Sequence, residues 1–246
     1  MKTIKLTFLS MLASQALIAE PVVETSDRLE LDWTRMRVGF YGVSSGNDFG
    51  NWADGEKAAL EEGLAYLVSK LPTLDEAAEG EPRFSKELAL KMASSTYISE
   101  TKVDAQGQVT VVLESLLPRA FIGRFAGQPD EEDLEDTPES KYTSIVVKLD
   151  QKISPRPFYT LVDQDGDVVF EAKQVAKPAF ERFGMGRWYS SASGKAFQSF
   201  AGSKPYILTA KWSGNGRIAV DEEQWEELER NGEKLIKSAK IALILP

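Results

Sequence analysis

The sequence predicts an α+β (mixed α/β) fold made of two small sheet-plus-helix halves. In the first half, a strand pattern is followed by a helical pattern and then by two alternating segments around a turn. In the second half, short apolar segments precede one helix and a final apolar strand. The chain has 246 residues, of which 42% are hydrophobic and 27% charged. These proportions are typical of a folded globular protein.

The first half, residues 30–125, begins with a predicted strand over residues 31–43, where apolar residues partly alternate with polar ones. A helix follows, with Asp54 as the expected N-cap and Pro72 at its end. Its apolar residues share one helical face. They are Leu60, Leu64, Leu67, Val68 and Leu71.

A second short helix is predicted over residues 82–93. Residues 95–104 and 108–117 then form two segments around the turn-forming residues 104–107. The second segment alternates between apolar and polar side chains, which favours a strand. We therefore expect a β-hairpin at the end of the first half.

An acidic segment, residues 126–140, is the expected linker between the halves. Residues 127–140 contain seven acids, two prolines and no base. Like-charge repulsion and proline favour an extended, exposed chain. A calcium-binding tract is the alternative, but the acids lack the glycine turn and the ligand order of a known calcium loop.

The second half, residues 141–246, contains several predicted strands and one helix. The strands cover residues 142–149, 158–162, 168–170, 205–212, 217–220 and 239–245. Asp221 and Gln224 resemble a capping box at the start of the helix, and Asn231-Gly232 is its expected end. The last strand is almost continuously apolar, so we expect it to be central in a sheet and buried on both faces. Residues 179–200 show no clear period.

Residues 1–19 have the order of a secretory signal peptide, with cleavage favoured after Ala19 over Ala16. Basic residues come first, a short apolar run follows, and small residues end the segment: Lys2, Lys5, 6–13, Ser14, Ala16 and Ala19. The apolar run is shorter than the ~20 residues of a spanning helix. We expect a periplasmic or secreted mature chain without a transmembrane segment.

Composition restricts the chemistry. The chain contains no cysteine and no histidine, which excludes thiolate nucleophiles, Ser-His triads and imidazole-bound metals. We therefore expect no catalytic residues, no metal site and no cofactor. Removal of residues 1–19 would change the net charge from −9 to −11. Nucleic acid is consequently a poor partner.

Two glycine-containing patterns have structural and functional interpretations. Asp163, Asp165 and Asp167 resemble the first ligands of an EF-hand, but Gly166 stands at the fourth loop position rather than the sixth. A hairpin turn is the favoured interpretation. The segments 184–186 and 214–216 contain paired glycines without completing a phosphate-binding motif. We interpret them as loops.

Adjacent acids on the predicted helices are best explained as solvated helix faces: Glu61-Glu62, Glu222-Glu223 and Glu226-Glu227. A glycoside hydrolase needs two carboxylates that face each other across a cleft, one of them with a raised pKa. Neighbours on a helix do not face each other. A carboxylate-dependent hydrolase built from distant acids stays open as an alternative, as does a polysaccharide-binding module.

Arg187, Trp188 and Tyr189 are the candidate binding residues. They lie in a glycine-rich segment, where an exposed aromatic cluster would suit a protein or sugar contact. Burial of these aromatic side chains in the core is the structural alternative.

The order of the segments resembles a known family over roughly residues 33–246. The segments that carry the resemblance are Val38-Gly39-Phe40-Tyr41-Gly42, the helix at 56–71, the strand pair after it, 144–149, Asp163-Gln164-Asp165-Gly166, Gly184-Met185, Gly202-Ser203-Lys204-Pro205, Val220-Asp221-Glu222-Glu223 and the final strand. They resemble the envelope-protein domain of the Lpp-twenty lipoprotein family, which is similar to the N-terminal domain of flagellar assembly protein T.

The resemblance implies a periplasmic, non-enzymatic part of an envelope assembly, such as a ring or disk of the flagellar motor. It transfers no catalytic residues. This chain lacks the acylated cysteine of the lipoproteins, so association with the envelope has to run through protein contacts. Envelope proteins and a homo-oligomer are the expected partners, with contact through a sheet edge or the aromatic cluster.

Overall fold

The computed structural model describes residues 21–44, 52–75, 83–121, 125 and 127–246. These residues form six α-helices and two sheets, of five and seven strands. The predicted mixed α+β class is therefore confirmed. The predicted signal peptide lies outside the described residues.

The first sheet is antiparallel throughout, with strand order β1-β2-β3-β5-β4. Its elements are β1 (Val23–Ser26), β2 (Leu29–Asp32), β3 (Arg37–Val43), α1 (Trp52–Lys70), α2 (Lys86–Ser94), β4 (Tyr97–Val103) and β5 (Val109–Leu116). Buried and half-buried residues alternate along β5. Helix α1 covers the buried face, and we call the opposite, partly exposed face the open face of this sheet.

The single strand predicted over residues 31–43 is wrong. The chain forms a hairpin there, in which β2 and β3 flank a turn at residues 33–36. Met36 adopts a positive φ of 55°, which reverses the chain without glycine or proline. Trp33 is fully buried within the turn, so its apolar character reflects burial rather than membership of a strand.

Helix α1 confirms the predicted helix, although it begins at Trp52 and places Asp54 in its first turn rather than at the N-cap. Small residues form much of its buried stripe, because the helix backbone approaches β3 closely. A Cβ added at Gly42 would lie 1.9 Å from the Ala59 carbonyl oxygen and 2.6 Å from the Gly63 nitrogen. The glycines therefore set the distance between this helix and the sheet.

The predicted second helix and hairpin of the first half are both confirmed. Helix α2 is capped by Ser85, whose hydroxyl accepts a hydrogen bond from the Leu88 N–H at 3.2 Å. Strands β4 and β5 pair antiparallel, with an irregularity in β4 between Ile98 and Glu100. The turn between the strands contains Gly107 at a positive φ of 80°.

The second sheet has seven strands in the order β8-β7-β11-β10-β6-β12-β9. Its half of the chain contains α3 (Glu131–Glu135), β6 (Ser144–Leu149), β7 (Thr160–Val162), β8 (Val168–Phe170), α4 (Lys177–Phe183), β9 (Arg187–Tyr189), α5 (Lys195–Ala201), β10 (Pro205–Gly214), β11 (Arg217–Ala219), α6 (Glu222–Lys237) and β12 (Ile241–Ile244). Strands β10, β6, β12 and β9 are parallel neighbours. Residues of α5 pack on one face of this sheet, and those of α4 and α6 join the larger core on the other.

Strand β12 confirms the prediction of a central strand, since it lies between β6 and β9 and all four residues are buried. Helix α6 begins as predicted, with the Asp221 carboxylate accepting from the Gln224 N–H at 3.0 Å. Its predicted end at Asn231-Gly232 is wrong. Gly232 has non-helical angles, φ −140° and ψ 16°, and makes a kink, after which the helix continues to Lys237.

The sequence predicted an extended acidic segment, but part of this segment is the short helix α3. Asp130 and Asp133 form a reciprocal capping box at α3, because acidic side chains satisfy the free N–H groups at a helix start. Gln128 is buried, and its amide donates to the carbonyls of Ala172 and Val175 at 3.1 Å each. One end of the segment is thereby fastened to the second half.

One hydrophobic core extends through both halves. Phe121 and Phe158 meet edge to face with centroids 4.2 Å apart. The Arg83 guanidinium binds Glu24 in its own half and the Pro155 carbonyl of the other half, at 2.8 and 2.9 Å. Each half contributes its own sheet, and the division into two domains at residues 126–140 stays a prediction.

Candidate functional site

The structure places Arg187, Trp188 and Tyr189 on β9 rather than in an exposed loop. Trp188 and Tyr189 are each 1% exposed. The expectation of an exposed aromatic contact is therefore wrong. The flanking glycines do not make a loose loop: Gly184 ends α4, and a Cβ at Gly186 would lie 2.7 Å from the Ile241 carbonyl oxygen.

Trp188 and Arg187 make contacts that connect β9 to neighbouring segments of the chain. The Trp188 indole donates to the Arg156 carbonyl at 3.1 Å, and the Thr34 hydroxyl donates to the Trp188 carbonyl at 2.7 Å. The Arg187 guanidinium lies 5.0 Å from the Phe200 ring centroid. The backbone of Trp33 and an isolated bridge from Pro21 cover the outer side of β9. This edge of the second sheet is consequently closed.

The Asp163–Asp167 segment is the predicted hairpin turn, between β7 and β8. The Asp163 carboxylate accepts from the N–H groups of Asp165 and Asp167 at 3.0 and 2.8 Å, and Gly166 has a φ of 90°. Gly214 and Gly216 likewise have positive φ between β10 and β11. Across the described ranges, no three acidic side chains are grouped as metal ligands.

Two of the adjacent helix acids have specific partners and are not simply solvated. The Glu62 carboxylate receives two hydrogen bonds from Arg28, at 2.7 and 2.9 Å, and one from the Val43 N–H. The bonds from Arg28 lower the pKa of Glu62. Hydrogen bonds from Tyr142 and Tyr206 lower the pKa of Glu227. A glycosidase acid needs a raised pKa, so neither residue suits that role.

Glu227 lies at an acidic groove of about 890 Å³ on α6, whose other lining residues are Thr209, Asp221, Glu223, Gln224, Glu226 and Arg230. Tyr142 donates to Glu227 at 2.6 Å and Tyr206 at 3.2 Å, and the two rings are tilted at 4.7 Å between centroids. The bond to Glu227 raises the pKa of Tyr142 to about 12. Both hydroxyls are bound within the chain, so this group fastens β10 and the segment just before β6 to α6.

The open face of the first sheet carries two acids in register, Glu30 and Glu114, that the sequence analysis did not single out. Glu30, Gly39 and Glu114 are register neighbours on β2, β3 and β5. Two strand spacings, about 10 Å, separate the acidic residues. Burial, followed by the charge of Asp32, raises the pKa of Glu30. Glu114 is bound by Tyr97 at 2.8 Å and by Arg37 at 3.2 Å.

Strand β4 is the outer strand of the first sheet, and all of its residues except Glu100 are exposed. It carries three of the seven large hydrophobic side chains that are exposed in the described part of the chain: Tyr97 at 43%, Ile98 at 37% and Val103 at 55%. At seven residues it is longer than the other outer strands, β1, β8 and β9. We call its outer side the β4 edge.

The register shows which backbone groups the β4 edge presents. The Asp104 N–H donates to the Gln108 carbonyl at 3.0 Å, so this pair is hydrogen-bonded across the hairpin. Bonded and non-bonded pairs alternate in an antiparallel ladder. Thr101 and Val103 therefore direct their N–H and C=O groups away from β5, where another strand can bind them.

The length of β4 and its number of apolar residues could not have identified it as an outer strand from the sequence. One available signal is that β4 lacks a clean alternation of apolar and polar side chains: in strict alternation Ile98 shares a face with Glu100 and Lys102, while Tyr97 and Val103 lie on the other. Among the described segments, no helix has both the length and the apolar character needed to cross a membrane. Comparison with protein-family models and with curated proteins gives no match to this chain.

Proposed function

We propose that this protein is a non-catalytic, exported component of a bacterial cell-envelope assembly, and that the β4 edge is its docking surface. The exposure of β4 is the observation that carries the proposal. Unpaired N–H and C=O groups along a strand bind an added strand through main-chain hydrogen bonds. Neighbouring side chains then give specificity.

The residue types of β4 suit a protein partner better than a small ligand. Ile98 and Val103 offer apolar contact, and Glu100 and Lys102 offer charges of opposite sign. The strand borders no described cavity lining, and an exposed strand outside a cavity suits strand addition. The surface therefore favours assembly.

The location and the kind of assembly rest on the sequence. Residues 1–19 have the signal-peptide pattern, and the resemblance to the Lpp-twenty family implies an envelope structure associated with the flagellar motor. The absence of histidine and cysteine supports a role in contact rather than in bond-making. The aromatic cluster of β9 has no part in the proposal.

The test is photo-crosslinking in intact cells. A photo-reactive amino acid replaces Val103 on the β4 edge, and in the control it replaces Ile207, which is similarly exposed at 48% but lies on β10, inside the other sheet. We expect covalent adducts with envelope proteins, including this chain itself, from position 103 and far fewer from 207. Recovery of free monomer alone from both variants would overturn the proposal.

A carboxylate-dependent glycoside hydrolase is the second candidate, because Glu30 and Glu114 flank Gly39 and Glu30 has a raised pKa. The spacing of about 10 Å is near the range of inverting enzymes. Glu30→Gln separates the two functions. Turnover of a cell-wall polymer that is abolished by Glu30→Gln would support the hydrolase, while unchanged adducts at position 103 without turnover would support the docking role.

A further inference from the structure

We infer that the occupant of the β4 edge is a second copy of this chain, paired antiparallel with β4 about a two-fold axis at Thr101. The two five-stranded sheets then form one sheet of ten strands. This inference rests on the proposed role of the β4 edge as a docking surface. It adds the identity of the partner, the symmetry and the register.

The backbone restricts the register first. Thr101 and Val103 point their N–H and C=O groups outward, as the pairing with β5 requires. A two-fold axis at Thr101 places this residue opposite the partner's Thr101. The two residues exchange both hydrogen bonds, which is the closely bonded pair of an antiparallel ladder. No backbone group of the β4–β5 ladder has to be released.

Charge then selects among the registers that the backbone allows. Glu100 and Lys102 share one face of β4, and their charged groups lie 3.0 Å apart. With the axis at Thr101, Glu100 faces the partner's Lys102 and Lys102 faces the partner's Glu100. A shift of the axis by one residue places either Glu100 opposite Glu100 or Lys102 opposite Lys102. Like charges directly opposite destabilise strand pairs, so the axis at Thr101 is preferred.

The irregularity in β4 brings the apolar residues together. On the inner side, three consecutive residues of β5, Val111 to Leu113, pair with Thr101, Glu100 and Ile98, because Ser99 is the extra residue of a bulge. The partner's residues 101 to 103 can follow the same pattern on the outer side. Val103 of each copy then lies opposite Ile98 of the other. Two pairs of exposed apolar side chains would be buried together.

The first test uses the absence of cysteine from the chain. Thr101→Cys in the purified protein places one thiol at the two-fold axis, where the Cα atoms of a bonded pair are about 5.5 Å apart, within disulfide range. We expect mild oxidation to give mainly a disulfide-linked dimer. Ile207→Cys is the matched control and is expected to stay monomeric. Equal cross-linking of the two variants, or none at Thr101→Cys, would overturn the inference.

The second test separates pairing between copies from the charge contact within one copy. Glu100→Lys alone places lysines opposite each other at both pairs of the dimer, and Lys102→Glu alone places glutamates there. Each should weaken self-association about tenfold, measured by sedimentation. A mixture of the two variants restores both opposite-charge pairs and should form a heterodimer. No contact within a single chain can produce that rescue.

The outcomes separate this inference from the function on which it rests. Failure of the mixture to associate, together with a monomeric Thr101→Cys protein, overturns the self-pairing. If position 103 then still gives adducts with a different envelope protein in cells, the docking role stands and only the partner is wrong. If position 103 gives no adduct either, both the self-pairing and the docking role of the β4 edge are overturned. Circular dichroism of each variant checks that the overall secondary structure is retained.

Discussion

Replacement of Gly42 by alanine tests how the first sheet holds its helix. Gly42 lies on β3 beneath α1, and the added Cβ would lie 1.9 Å from the Ala59 carbonyl oxygen and 2.8 Å from the Gly63 Cα. These are backbone atoms, so no side-chain rotation can relieve the contacts. The helix and the strand have to move apart.

The size of that movement sets the expected cost. Contacts of Cβ atoms under about 3 Å are essentially not seen in proteins, so the gap of 1.9 Å must open by roughly 1 Å. A shift of that size loosens the packing along the whole face of α1. Overpacking substitutions cost about 1–3 kcal/mol and occasionally more. Because Gly42 meets backbone on α1, we expect a loss of about 3 kcal/mol or more in the free energy of unfolding.

Urea unfolding followed by tryptophan fluorescence measures the loss. Gly39→Ala is the matched control, since Gly39 lies on the same strand and a Cβ there meets nothing within 4 Å. We expect that variant to be unchanged or up to about 1 kcal/mol more stable, because glycine loses more conformational entropy on folding. A Gly42→Ala protein that unfolds within about 1 kcal/mol of the Gly39→Ala protein would refute the close packing of helix on strand.

Two further predictions concern hydrogen bonds that fasten the second half. The hydrogen bond to Glu227 raises the pKa of Tyr142 to about 12. The stability that this bond contributes is therefore complete below the ordinary tyrosine pKa near 10 and is lost as the pH rises toward 12. In Glu227→Gln, ultraviolet titration should show Tyr142 ionising at a lower pH than in the unmodified protein. Thr34→Val removes the hydroxyl bound to the Trp188 carbonyl and should cost about 2 kcal/mol in urea unfolding, whereas Thr34→Ser should restore most of it; equal stability of the Val and Ser variants would contradict this.

Elements with a strong local signal could be predicted from the sequence. The leucines of α1 recur at helical spacing, although the buried residues of the helix, Gly55, Ala59, Gly63, Tyr66 and Leu67, share only Leu67 with the predicted face. Strand β5 alternates over eight residues. The turn at 163–167 has its capping carboxylate and its glycine within five residues. Strand β12 is a continuous apolar run, which is typical of a strand buried on both faces. In each case the determining contacts are close in sequence or follow directly from burial.

The wrong predictions concern segments whose structure depends on contacts with residues far away in the sequence. The hairpin at residues 29–43 has no glycine or proline in its turn, and Trp33 is buried there against Phe84, which precedes α2, at 6.1 Å between centroids. The predicted strand of 13 residues was longer than most strands, and this length was the available warning. Gly184 and Gly186 suggested a loose loop, yet one ends a helix and the other admits the close approach of Ile241.

The position of β4 at the edge of its sheet follows from the topology, and the missing alternation along β4 is a weak local sign of it. Exposed edges are usually protected against unwanted pairing by charges, by bulges or by short length. Strand β4 has charges at Glu100 and Lys102 and a bulge at Ser99, but not short length. A foreign strand would need a matching bulge and opposite charges in the right order. A second copy of this chain has both by symmetry, so the features that repel other strands are compatible with self-pairing.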